Sequence, residues 1–175
     1  MNTLKRCLIM LLTIPVCVVL QMLVLPLIPH LIAVPNLILI EVMTFGFLFG
    51  KTLGLVAGVV SGLVLDLIGS GTPGFYTLIL SLLGYADGFL SEKMESDLIP
   101  ILYGILLGNE ILFHLYVFVL AFLIRKHFSF GSYVTDVFLP ELFLTMIAFL
   151  LVYGVLIFLA RRFDLKVNKG EVKIV

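Results

Sequence analysis

The chain has 175 residues, of which 62% are apolar and only 13% charged. That balance excludes a water-soluble globule, which needs more polar surface than this sequence supplies. Eleven Lys and Arg against eleven Asp and Glu give a formal net charge of zero, which excludes nucleic acid as an expected partner. Lipid is the solvent that such a composition implies, and a single all-α bundle is the expected fold.

A helix crossing hydrocarbon needs about 17 to 25 apolar residues, and the sequence offers six such runs, at about 8–28, 35–50, 53–68, 75–90, 98–124 and 137–160. Lys5 and Arg6 precede the first run, which carries Pro15 and Gln21 and ends among Pro26, Pro29 and His30. It is too long for a signal-peptide core and lacks a small-x-small cleavage site, so it reads as a permanent span. Cys7 and Cys17 fit no metal or redox spacing and read as small core residues. Pro15 reads as a kink and Gln21 as an interhelical hydrogen bond.

Pro35 and Asn36 open the second run, and Lys51 and Thr52 separate it from the third. One unbroken helix over 35–68 would be about 51 Å long at 1.5 Å per residue, far more than a hydrocarbon core of about 30 Å. Residues 69–74, Gly-Ser-Gly-Thr-Pro-Gly, form a turn before the fourth run. Polar residues 91–97 lead to the fifth, and 125–136 form the longest internal loop before the sixth.

Basic residues set the orientation. With six crossings and both ends inside, Lys5, Arg6, Lys51, Lys93, Arg161, Arg162, Lys166, Lys169 and Lys173 fall on one side, and only Arg125 and Lys126 on the other. Five crossings would lose this bias toward the cytoplasmic side.

Glycine recurs at every fourth position from Gly46 through Gly50, Gly54, Gly58 and Gly62, with Asp66 next in register. On the third helix, Gly54, Gly58 and Gly62 make a stripe where another helix can approach closely, either within the chain or as a subunit contact ending at Asp66. Ionisable residues within the spans cost about 2.5–3.5 kcal/mol each at the membrane centre. Asp66, Asp87 and Glu141 lie near span ends, within expected reach of water or headgroups. Glu41, and Glu110 beside Asn109 with His114 one turn on, form the candidate buried polar cluster. A metal site needs at least three protein ligands, and this pattern shows no second histidine cluster, since His30 and His127 fall in loops. Without HExxH, GxSxG or a phosphate-binding glycine loop, no enzyme activity, cofactor or metal is expected.

The segment from Pro35-Asn36 through Gly58-Val-Val-Ser-Gly62-Leu-Val-Leu-Asp66, Gly74-Phe-Tyr-Thr-Leu and Gly84-Tyr-Ala-Asp87-Gly88 resembles the rod shape-determining MreD family of bacteria. The resemblance implies a non-enzymatic, multi-pass protein of the bacterial cytoplasmic membrane, a scaffold of the elongation complex that guides side-wall peptidoglycan synthesis. It implies MreC as direct partner, and MreB and the wall-synthesis enzymes in the wider complex. That family is similar in fold to the six-helix substrate-binding subunits of energy-coupling-factor transporters. This supplies a second reading, in which Glu41, Glu110 and His114, with Tyr103 and Tyr116 nearby, line a small-molecule pocket.

Overall fold

Several helix ends fall where the sequence supplies a residue able to end a helix. In the computed structural model, which describes residues 2–29, 33–70, 73–94, 99–125 and 130–162, α1 (Asn2–Val19) runs through Pro15 and on into a π turn (Leu20–Val24) and a 3-10 turn (Leu25–Leu27). Pro26 there has no amide with which to extend a helix. α2 (Leu37–Phe49) is capped by Asn36, whose Oδ1 accepts from the Leu39 amide at 3.2 Å. It stops at Gly50, and α3 (Lys51–Leu65) starts at the next residue and continues through a π turn, Asp66–Ser70. Gly74, in the left-handed region at φ 86°, precedes α4 (Phe75–Lys93). α5 spans Ile99–Arg125. α6 is continuous from Phe130–Tyr133 through a π turn, Val134–Phe138, to Leu139–Arg162. No strand occurs among the described residues.

The turn at Gly50 replaces the long helix considered for 35–68. Its backbone sits at φ 90° and ψ 174°, a conformation essentially reserved for glycine, and it folds α3 back along α2. The break thus comes one residue before Lys51, which opens α3. The predicted loop at 125–136 is also shorter than expected. From Phe130 the chain is already helical, with Thr135 Oγ1 donating to the Gly131 carbonyl at 3.2 Å and Tyr133 buried against α5. His30, Gly71, Thr72, Glu95, Ser96, Asp97, Lys126, His127, Lys166, Lys169 and Lys173 lie outside the described residues.

Successive helices run in opposite directions. Gln21 Oε1 accepts from the Ile38 amide at 3.0 Å, the interhelical bond expected of it, and at the other end of this pair the Arg6 guanidinium lies 5.1 Å from the centre of the Phe49 ring. α3 and α4 are antiparallel, with Gly62 over Thr77, Gly54 over Gly84, and Lys51 Nζ 3.1 Å from Glu92 Oε2 at the far end. Tyr116 of α5 donates to the Phe75 carbonyl at 2.9 Å, and Tyr103 donates to the Met146 carbonyl of α6 at 3.2 Å. Arg6, the α2–α3 turn with Lys51, and the end of α4 with Lys93 therefore gather at one end of the bundle.

The bundle is apolar outside and carries its polar groups inside. Leu11, Leu82, Phe143, Leu151 and Phe158 are all more than half exposed, whereas Glu41 and Glu110 are fully buried. Only lipid makes such a surface stable. Four helices are long and apolar enough to cross a membrane, over Leu4–Leu27, Lys51–Gly69, Ile99–Leu120 and Gly131–Ala160. α2, with 13 residues, is about 20 Å long and is buried along almost its whole length. It forms the axis around which the others pack.

A Gly50→Ala substitution places a side chain in a backbone region that alanine avoids. The expected result is a loss of about 1–3 kcal/mol of stability, read as a lower unfolding midpoint of the purified protein in mild detergent.

Candidate functional site

The tightest part of the molecule is the seam between α3 and α4. A methyl group on Gly54 would overlap the Gly84 carbonyl, one on Gly58 the Leu80 carbonyl, and one on Gly62 the Thr77 backbone. Gly88 of α4 is pressed in the same way against Lys51, and a methyl on Gly46 of α2 would stand 2.6 Å from the Gly84 carbonyl oxygen. The glycine stripe is therefore met by backbone of the same chain, which leaves no room there for an outside helix. Its complement, Gly84 and Gly88 at the same four-residue spacing, is present in the sequence but has no periodic run to announce it.

Asp66 closes one end of this seam. Its carboxylate accepts from the amides of Gly74 at 2.9 Å, Tyr76 at 2.7 Å and Thr77 at 3.2 Å, and from the Thr77 hydroxyl at 2.6 Å. These amides lie at the start of α4, where no intrahelical acceptor exists and a negative charge suits the helix dipole. Asp66 is only 8% exposed, so it does not reach for water as expected from its place near a span end. The first amides of α4 act as its solvent instead.

Asp87 is likewise buried rather than solvated, and both its oxygens accept from Asn109 Nδ2, at 3.0 and 2.9 Å. This pair ties α4 to α5. Asn109 therefore turns away from its neighbour Glu110, since successive helical residues point about 100° apart. Glu41, in the first half of α2, lies against Thr13 and Cys17 of α1. The four residues expected to share one polar cluster thus occupy three places. Cys17 is buried, but Cys7 is exposed and does not belong to the core.

Glu110 and His114 do meet, with His114 Nε2 3.2 Å from Glu110 Oε2, and α6 adds Glu141, whose Oε2 is 3.7 Å from the same nitrogen. Tyr133, also from α6, places its hydroxyl 2.9 Å from His114 Nδ1. Glu110 is fully buried, and neither of its oxygens has a hydrogen-bond partner among the described residues. Glu141 was missed as a member of this group because it lies 31 positions beyond Glu110 in the sequence. No local spacing relates the two. Tyr103 and Tyr116, the aromatic neighbours expected of a pocket here, spend their hydroxyls on backbone carbonyls elsewhere.

One family model, described as rod shape-determining protein MreD, matches residues 1–163 of the chain. No curated protein and no solved structure matches.

Replacing Asp66 by Ala leaves three amides at the start of α4 without their acceptor in a largely buried setting. A loss of about 1–3 kcal/mol is expected, checked by thermal unfolding in detergent, together with faster hydrogen exchange at the Tyr76 and Thr77 amides.

Proposed function

The chain belongs to the family of the rod shape-determining protein MreD, and from that premise we propose that it is a non-enzymatic scaffold of the elongation complex, joined to MreC and through it to MreB and the wall-synthesis enzymes. The family match over residues 1–163 carries this reading. The backbone-to-backbone packing of α3 on α4 supports it, because a scaffold acts by holding a surface in place rather than by turning over a substrate. We further infer that all six helices cross the cytoplasmic membrane with both ends of the chain in the cytoplasm. The alternating helix directions and the gathering of Arg6, Lys51 and Lys93 at one end support that orientation.

Close packing of α4 on the glycine stripe directs attention to another surface for the partner. Between α1 and α6 runs a groove of about 510 Å³, lined among others by Leu12, Val16, Leu20, Val152, Val155 and Leu159. Its lining is apolar and faces the lipid, which suits the single membrane helix that the family implies for MreC. Helices in lipid associate through close packing of this kind, since leaving lipid gives apolar side chains no hydrophobic gain.

Depletion of the protein is expected to turn rod-shaped cells round, with wild-type protein restoring them. A photo-crosslinking residue at the exposed Val155 should capture MreC, and one at the exposed Leu82 of α4 should not. Capture from Leu82 alone, or of lipid alone at Val155, would remove the groove as the docking site. Normal rods after depletion would remove the shape-determining role.

A further inference from the structure

The group formed by Glu110, His114 and Glu141 contains more than a helix contact needs. One ligand atom from each residue comes within 4.8 Å of the other two. His114 Nε2 stands 3.2 Å from Glu110 Oε2 and 3.7 Å from Glu141 Oε2. Yet neither Nε2 nor either Glu110 oxygen makes a hydrogen bond to any described residue, although all three atoms are buried. Two carboxylates close together inside a membrane bundle, one of them fully buried and without a donor, are costly. The distances themselves suggest what relieves that cost. A metal ion with bonds of about 2.0–2.1 Å in tetrahedral geometry sets its ligand atoms about 3.3 Å apart, close to the two separations from His114 Nε2. The three ligand atoms together lie within 4.8 Å of one another, so the carboxylates need to draw together only slightly around an ion.

From this geometry we propose that Glu110, His114 and Glu141 bind a divalent metal ion of the zinc class, linking α5 to α6. One imidazole nitrogen and two carboxylates suit Zn²⁺, whose three-ligand sites keep a fourth position for water; Mg²⁺ and Ca²⁺ call for more oxygen ligands than this group offers. The ion's two positive charges balance the two carboxylates. Tyr133 fits the arrangement, since its hydroxyl oxygen can accept from Nδ1–H of His114, the tautomer that leaves the Nε2 lone pair directed at the carboxylates. A way in exists as well. Glu141 lines a cavity of about 400 Å³ shared with Gln21 and Asp136, and His114 lines another of about 360 Å³ with Tyr133 and Phe138. The site is independent of the shape-determining role and stands or falls on metal binding alone.

The test uses the full chain purified in mild detergent and stripped with a chelator. Titration with Co²⁺ alone should give the visible absorption of a low-coordinate cobalt centre, saturating at about one ion per chain and displaced by Zn²⁺. Glu110→Gln and Glu141→Gln, which change charge and hardly shape, should each weaken binding at least about tenfold, and Tyr133→Phe by a similar factor through loss of the histidine's orientation. Zn²⁺ should raise the unfolding midpoint of the wild type but not of the Gln variants. Failure of the wild type to take up cobalt, or equal uptake by the Gln variants, would overturn the proposal.

Discussion

Apolar side chains are as comfortable in lipid as in a protein core, so a chain of this composition cannot rely on hydrophobic burial to bring its helices together. What it uses instead is backbone contact between α3 and α4. Side chains of ordinary size would hold two helices about 8–10 Å apart, whereas glycine on both sides of the seam lets carbonyl and Cα atoms touch, multiplying short dispersion contacts. α2 joins the same contact through Gly46, so three helices meet where no Cβ intervenes. The turn at Gly50 is part of this arrangement, since it reverses the chain within one residue and lays α2 and α3 side by side against α4.

Polar contacts then fix the register of this trio and attach the remaining helices to it. Asp66 satisfies the start of α4 at one end, and the Lys51–Glu92 pair spans the other. That surface pair is exposed and contributes little energy; its value here is as a marker of which ends lie together. Asp87 with Asn109 brings in α5, Gln21 with the Ile38 amide brings in α1, and the Asn36 amide donating to Thr145 Oγ1 at 2.9 Å brings in α6. In a low dielectric each such bond is stronger and each unmade one more costly than at a protein surface. Buried polar residues in this bundle therefore define a particular packing.

Much of this was legible in the sequence because it is local. Apolar runs bounded by Pro, Gly and Asn marked the helices, and a four-residue glycine period marked a face made for close approach. The structure adds what no local pattern encodes, namely which helix answers which. That α4 fills the stripe depends on Gly84 and Gly88, only two glycines and so no obvious period. Asp66 and Asp87 were expected near water because they sit near span ends, but position along a helix does not reveal whether another helix brings donors to it. The separation of Asn109 from Glu110 was predictable from helical geometry alone, whereas the arrival of Glu141 beside His114 was not, since it depends on how α5 crosses α6.

The most direct measurement of the seam's role is the thermal unfolding, in detergent, of single Gly→Ala variants inside and outside it. Alanine at Gly54, Gly58, Gly62 or Gly84 should lower stability by about 1–3 kcal/mol each, through forced separation of the helices. Alanine at Gly104 or Gly108, where nothing lies within 4 Å of an added Cβ, should be neutral or raise it by up to about 1 kcal/mol, as helix propensity dictates. If all six variants unfolded alike, the contact between α3 and α4 would not be what holds this bundle together.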